Sequence, residues 1–515
     1  MMSTSRLIVL AFVILMLLSA KPFFASKLVE KHIIVLDAGS TGSRVYIYKY
    51  DTEFPLETIS EVAHMRVNPA LSTFVNNSAG LTVQLNSLVK FAMTITPAVS
   101  WPTIDISLKA TAGLRSLNLV DQKYLIDATV AVFENSVFFC DPLNTRVLSG
   151  QEEALFDVLA VTALFQSYKE GFVSLGAADM GGSSQQIAFL FNSSVSKIEK
   201  NMGLKDGTDS ILEVEIDSSG ANPLLDTQEV LSSASSLDCS SDWRIGIPGR
   251  DEKIEIYAKS MPYMGLIAAM DTVLDNFYAN KSTSCLDYTS THADRSLGEM
   301  MIEVDLDPQH FDTTDDATSL LATLDVSDSD RGSKMVSMET SNCHVPLHPC
   351  LPDGVFPEVP GFSGHPQPLY GLGDFEKCHQ LLKQVLVRQA QLTIDLKCLK
   401  MHRPKVMVGM DNYPKVLEIL GIPQSISVPP SEIRRRATDV CRRSWTDLLA
   451  EYPGFMPYRA QRACFGATYV YSMLVDVYGI EEDDKEAFLP IDSVGEHELS
   501  WALGAAVFSA MDLKV

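Results

Sequence analysis

The sequence predicts an α/β protein built as two lobes. The chain has 515 residues, more than one hydrophobic core ordinarily supports. One outline also occurs twice, about 140 residues apart: an apolar strand ending at an Asp, a break of Gly and hydroxyl residues, then a returning strand. Hydrophobic residues make up 46% and charged residues 21%, an ordinary balance for a globular chain with a sizeable core.

In the first copy, Ile33 to Leu36 is β-branched and aliphatic, Asp37-Ala-Gly-Ser-Thr-Gly-Ser43 interrupts it, and Val45 to Tyr50 resumes. This reads as a strand, a tight Gly-containing turn and a returning strand. In the second, Phe172 to Ala178 leads into Asp179-Met-Gly-Gly-Ser-Ser184, and Ile187 to Phe191 resumes. Two such units predict lobes that face one another. Between them, Ile104 to Leu108 alternates apolar and polar and reaches Lys109-Ala-Thr-Ala-Gly-Leu-Arg115. Ser149-Gly-Gln-Glu152 has the S-x-x-E spacing of a capping box and predicts a helix to about Phe165. Leu155, Val158, Leu159 and Thr162 share one face of that helix. The Asp-, Ser- and Thr-rich stretch from Ser282 to Asn342 predicts a long surface insertion, and Pro346 to Pro368 a loop. Helices are expected over Cys464–Val477 and Trp501–Met511.

The formal net charge is -24. Its long-range field excludes nucleic acid and anionic membranes as partners. A nucleotide is repelled too, unless backbone N–H groups and a bound cation receive it. At the N-terminus, Arg6 precedes the apolar run Leu7 to Leu18, followed by Ser19, Ala20, Lys21 and Pro22. A bilayer span needs about 20 apolar residues, so residues 1–26 read as a signal peptide, with an uncleaved N-terminal anchor as the alternative. No C-terminal anchor is expected. The nine cysteines then fall in an oxidising compartment and should mostly pair, with at least one left over. No C-x-x-C spacing points to zinc. Asn76, Asn192 and Asn280 begin glycosylation sequons.

The two turns are where chemistry can sit. Glycine lets backbone N–H groups approach phosphate oxygens closely, and Ser40, Thr41, Ser43, Ser183 and Ser184 add hydroxyl donors. Asp37 and Asp179 would repel phosphate directly but suit a divalent cation, which meets carboxylates and phosphate oxygens together. Taken singly, each Asp also fits a turn cap. Glu152 is occupied by the capping box. Glu153 is free to accept a proton from an attacking water, although taken alone it also fits a solvated helix face. Arg115 fits either a phosphate clamp or a structural ion pair.

In order, Asp-Ala-Gly-Ser-Thr-Gly-Ser-Arg, Ala-Thr-Ala-Gly-Leu-Arg, Ser-Gly-Gln-Glu-Glu and Asp-Met-Gly-Gly-Ser-Ser-Gln-Gln resemble the apyrase family of nucleoside triphosphate diphosphohydrolases. Cys464-Phe-Gly-Ala-Thr-Tyr469 and Ser500-Trp-Ala-Leu-Gly504 are similar to that family's last motifs, so the resemblance runs from Ile33 to Ala505. The first and fourth motifs are highly specific in combination.

The resemblance implies a two-lobed actin-like ATPase fold, each lobe a ribonuclease H-like mixed sheet flanked by helices, with the nucleotide in the cleft. Lobe I would be 27–150 plus 491–515 and lobe II 151–490. Ser40, Thr41 and Gly42 would grip phosphate from one loop, and Gly181, Gly182 and Ser183 from the other. Asp37 and Asp179 would position Ca²⁺ or Mg²⁺, largely through water that Thr111 helps hold. Glu153 would be the general base, Ser184 and Gln186 would orient the attacking water, and Arg115 would be structural or phosphate-facing. Cys441 and Cys464 would form a disulfide.

This chain departs from the family pattern at Ala154, usually Gly, and Val158, often Trp. The downstream aromatics that many relatives use on the base are not obvious in this chain; Tyr370 and Phe375 are nearby, but Glu376 and Lys377 follow them. The expected reaction is in-line hydrolysis of the terminal phosphate of nucleoside di- and triphosphates. The alternatives are a lumenal nucleoside diphosphatase and a non-hydrolysing nucleotide-binding protein of the same fold. An exopolyphosphatase fits the signal segment and cysteines poorly. Secretion or a secretory-pathway lumen is expected. The sequence leaves base preference and oligomeric state open.

Overall fold

The computed structural model describes residues 30–40, 42–53, 55–166, 175–190, 242–246, 253–279, 347–356, 369–452, 457–495 and 497–513. The N-terminal apolar segment, Thr41, the 282–342 insertion, Cys239, Cys285, Cys343 and the sequons at Asn192 and Asn280 lie outside the described residues.

Two mixed sheets carry the fold. In the first, β1 (Glu30–Ala38), β2 (Ser43–Asp51), β3 (Ser60–Val67), β4 (Asp105–Ala110) and β5 (Arg146–Val147) lie in the order β3-β2-β1-β4-β5. In the second are β6 (Leu175–Met180), β7 (Ser184–Leu190), β8 (Trp243–Gly246) and β9 (Lys253–Pro262). A small sheet of β10 (Leu347–His348), β11 (Gly354–Phe356) and β12 (Leu369–Gly371) stands apart. With β13 (Val406–Asp411) and β14 (Phe488–Pro490), the second large sheet runs β14-β13-β6-β7-β9-β8. Apart from β8, the two orders correspond strand for strand. In each, an antiparallel hairpin is flanked by a parallel strand from a crossover, β4 against β1 and β13 against β6. The repeat read in the sequence is thus a repeat of topology.

The helices used below are α1 (Ser78–Ile95), α2 (Leu119–Glu134), α3 (Gly150–Gln166), α4 (Leu266–Ala279), α5 (Phe375–Gln391), α6 (Asn412–Ile419), α7 (Pro430–Cys441), α8 (Ala463–Ser472) and α9 (Trp501–Ala510). Strand alternation sends β1 in two directions. Ile34 and Leu36 pack with Leu81, Leu85 and Leu88 of α1 and Leu125 and Phe133 of α2. Ile33 and Val35 belong to a core with Leu155 and Phe156 of α3, Ala506 of α9, and Ala177, Ala188 and Val408 of the second sheet. α3 and α9 therefore pack between the two large sheets. The third core, behind the second sheet, joins Ile187 and Phe189 to α4, α5, α7 and α8.

Two local expectations change. The capping box is present, with Ser149 N–H donating to Glu152 Oε2 at 2.9 Å and Glu152 N–H to Ser149 Oγ at 3.2 Å. Yet α3 is not apolar on one face only, since Glu153 to Val158 are all buried, because the helix is covered on several sides by both lobes. The segment from Pro346 is not all loop, because His348 and Gly371 pair across β10 and β12. The expected disulfide Cys441–Cys464 is present, beside Cys350–Cys378. Cys140 is the free cysteine among the described residues.

Candidate active site

The two Gly turns are built alike. In the first, Asp37 pairs across the hairpin with Arg44, and Gly39 N–H donates to Gly42 O at 3.0 Å. In the second, Asp179 pairs with Gln186, and Gly181 N–H donates to Ser184 O at 3.0 Å. Both face a cleft of about 490 Å³. A methyl group placed on Gly182 would lie 3.4 Å from Ser40 Oγ, so the two turns confront each other across it. Each turn rests on a glycine that no other residue could replace without a clash. A Cβ at Gly113 would stand 2.8 Å from Ser40 Cα, and one at Gly265 would stand 2.4 Å from Ser183 N.

Asp37, Ser40, Thr111, Glu153, Asp179, Gly181, Gly182, Ser183 and Ser184 line the cleft. Gly42 does not line it. Its Cβ would stand 2.4 Å from Asn68 Oδ1 and 2.8 Å from Val67 O, so close packing against the end of β3 requires this glycine. Arg115 does not line the cleft either. Its guanidinium donates to Glu153 Oε2 at 2.7 Å, to Leu148 O at 2.9 Å and to Ser184 Oγ at 3.3 Å. Of the two roles open to Arg115, the geometry favours the ion pair.

Gln186 lies just behind the wall. Its Nε2 reaches Ser184 Oγ at 2.8 Å, Glu153 Oε2 at 3.2 Å and Ser260 Oγ at 3.2 Å. Glu153, Ser184, Gln186 and Arg115 therefore form one bonded unit at the cleft floor. Burial raises the Glu153 carboxyl above its ordinary value, opposed by Arg115.

The acids around this unit are stressed. Burial pushes Asp37 up to about 7, opposed by the Arg44 guanidinium 3.3 Å away. Burial and the charges of Asp411 and Glu153 raise Asp179 well above the carboxylate range. Asp157, one turn beyond Glu153 on α3, is raised in the same way by burial and by Asp179. Asp37 Oδ1 is buried without a hydrogen-bond partner, and the buried oxygens of Asp157 and Asp179 find none except a proton shared between those two carboxyls. Among the described residues, no group of three His, Cys, Asp or Glu side chains converges as a direct metal cage. The orphaned Asp37 oxygen and the Asp179 carboxyl, one from each lobe, fit a cation that keeps most of its water.

Several cleft residues escaped the sequence reading. Arg44 and Arg66 line it from lobe I. Asp411, Asn412 and Lys415 line it from β13 and α6, and Tyr458, Arg459 and Arg462 from the segment before α8. Asp411 had a legible signal, because Val406-Met-Val-Gly-Met-Asp411 is a third apolar strand ending in Asp. Its backbone has φ 53°, and its carboxylate is held by Lys415 at 2.6 Å. Phe375 is buried in the lobe II core, and Tyr370 donates to Asp353 at 3.0 Å, so neither faces the cleft. Tyr458 does, with Arg462 set 5.5 Å from its ring centroid.

The fold resembles that of nucleoside triphosphate hydrolases from Neospora caninum, with a TM-score of 0.57 at 12% identity over 99% of this chain and 97% of that one. In sequence, the chain is 22% identical over 498 residues to probable apyrase 4 of Arabidopsis thaliana, covering 92% of this chain and 78% of that protein. It is 32% identical over 165 residues to the guanosine-diphosphatase of Saccharomyces cerevisiae, covering 31% of this chain and 32% of the yeast protein. The model of the GDA1/CD39 (nucleoside phosphatase) family matches residues 24–218 and 327–515, which takes in both Gly turns, the Glu153 helix and the C-terminal motifs. With its two facing turns and one carboxylate held between them, the chain belongs to the GDA1/CD39 nucleoside phosphatase family and is a hydrolase of that family.

Proposed function

We propose that the protein hydrolyses the terminal phosphate of nucleoside tri- and diphosphates, as an apyrase does, with Glu153 as general base. The observation that carries this reading is the bonded unit at the cleft floor. Glu153 Oε2 is tied to Arg115 and Gln186, and Gln186 to Ser184, between two Gly- and Ser-containing turns that line one cavity. Ser184 and Gln186 orient a water that attacks the terminal phosphorus in line. Its proton passes to Glu153, the phosphoanhydride bond breaks, and the shortened nucleotide leaves with that bond's electrons. No covalent enzyme intermediate is needed, so positioning and charge stabilisation supply the acceleration.

Ser40 and Thr41 on one side, with Gly181, Gly182 and Ser183 on the other, grip the phosphates. Asp37 and Asp179, helped by Thr111, hold the shell of a Ca²⁺ or Mg²⁺ ion. When bound, such an ion neutralises the phosphate charge that the buried acids would otherwise repel. The apolar N-terminal run and the disulfides support passage through an oxidising secretory compartment.

The test is phosphate release from ATP, ADP, UDP, GDP and AMP by the purified protein with Ca²⁺, Mg²⁺ or EDTA. Cation-dependent release from tri- and diphosphates but not AMP is expected, with Glu153→Gln lowering kcat on the order of 10²- to 10⁴-fold. The ratio of triphosphate to diphosphate rates separates an apyrase from a diphosphatase. Nucleotide binding without release would leave a binding protein.

A further inference from the structure

Ser184 and Gln186 are next-but-one neighbours on β7, so alternation places them on the same face of the strand, toward Glu153. Gln185 points the other way, on the face that carries Ile187 and Phe189 into the lobe II core. An amide there is out of character with its neighbours, and it is fully buried. Its Nε2 donates to Tyr413 Oη at 2.5 Å and to Tyr478 Oη, and its Oε1 accepts from Tyr469 Oη at 3.3 Å. Tyr413 and Tyr478 are themselves bonded at 3.0 Å. All three rings are fully buried.

Two of these tyrosines lead back to the cleft. Tyr413 follows Asp411 and Asn412, which line it, and Asn412 Nδ2 donates to Met180 O at 2.7 Å, just ahead of the second Gly turn. Tyr469 has one hydroxyl proton, and its stronger branch goes to Met264 O at 2.5 Å, with Gln185 Oε1 taking the weaker one. The residues after Met264 carry that turn, with Leu266 N–H donating to Gly181 O at 2.9 Å and Ile267 N–H to Gly182 O at 3.0 Å. One amide thus ties β7, the Asp411 corner and the segment under the second turn together. At the matching place in lobe I, Ser43 accepts one 3.4 Å bond from Gln84.

We propose that Gln185, clamped by Tyr413, Tyr469 and Tyr478, is a positioning residue that sets Ser184 and Gln186 against Glu153. This rests on the roles proposed above for Ser184 and Gln186. A buried amide bonded to separate segments resists both twisting and sliding of the strand, because any movement breaks bonds that no water can replace. A displacement of about 1 Å at such a site can cost on the order of 100-fold in rate.

The test compares Gln185→Met, which keeps length and loses every bond, with Tyr478→Phe, which removes one oxygen and keeps the packing if the first variant fails to fold. ADP turnover is measured per folded molecule, with melting temperature in parallel. Gln185→Met is expected to lower kcat about 10- to 100-fold while KM changes less than about threefold, because the turn's donors are retained. Tyr478→Phe should give a smaller loss of the same kind. In a Gln186→Ala background, Gln185→Met should cost little more, since the two act as one unit. A lowered melting temperature with unchanged kcat would make the network a core filler and overturn the proposal. Full activity in Ser184→Ala and Gln186→Ala would instead bring down the reading beneath it, and the proposal with it.

Discussion

Replacing Arg115 by methionine should move the acid limb of the pH–rate profile upward. Two effects act on Glu153: burial raises its pKa and the Arg115 guanidinium lowers it. At their 2.7 Å separation, unit charges in an effective dielectric of about 20 attract by about 6 kcal/mol. That is an upper bound, because the Arg115 side chain is 24% exposed and the Glu153 side chain 8%, so solvent screens part of it. An adjacent opposite charge favours the ionised carboxyl, so losing the Arg115 guanidinium leaves burial unopposed and raises Glu153 further, by an amount that the partial screening limits.

The sign follows from the base's role. Only ionised Glu153 accepts the proton, and without Arg115 it stays protonated to higher pH. The rate at pH 6 should therefore fall more than the rate at pH 8. A residual loss at high pH is also expected, because Arg115 also touches Ser184 Oγ at 3.3 Å. The assay is kcat/KM for ADP from about pH 5 to 9 at saturating cation. A uniform loss with an unmoved midpoint, or a limb that moves down, would refute the electrostatic role assigned to Arg115.

Three further outcomes are expected. A Cβ at Gly504 would lie 1.7 Å from Phe156 O, where α9 crosses α3, so Gly504→Ala should destabilise the fold by about 3 kcal/mol, read as a lower denaturant midpoint. Cys441 and Cys464 are 23 residues apart, and a Ser/Ser replacement should cost about 3 kcal/mol of stability on the loop-closure estimate, read by thermal melting against the parent protein. In EDTA, Asp37 holds its proton to about pH 7 when folded but only to its ordinary value when unfolded. The folded state therefore binds the extra proton across that interval, and stability falls as pH rises through it, by on the order of 4 kcal/mol. Adding Ca²⁺ or Mg²⁺ at neutral pH should raise the melting temperature, and a flat pH–stability curve in EDTA would speak against a buried, cation-seeking Asp37.

The readable parts of the site were those written in continuous runs of chain. A turn such as Asp37 to Ser43 or Asp179 to Ser184 declares itself locally, because Gly, Asp and Ser shape the backbone within four or five residues. The helix starting after Ser149 declared its own cap and left Glu153 free by elimination. Near Tyr370 and Phe375 no base-binding aromatic was legible, because the choice between core and cleft depends on which side of a distant sheet a helix packs.

From sequence alone, then, came the two-lobed α/β repeat, the two phosphate-type turns, the carboxylate between them, the Cys441–Cys464 pair and the kind of chemistry, all set by local backbone and side-chain character or by family resemblance. Tertiary structure decided that Arg115 grips Glu153, that Gly42 is a packing glycine, that Arg44 sits on Asp37, and that Asp157 and Asp411 join the buried acids. It also decided that Gln185 meets tyrosines 228 and 293 residues away. Those pairings arise from strand register and from the crossing of elements that meet only after the chain has folded, and no window of sequence contains both partners.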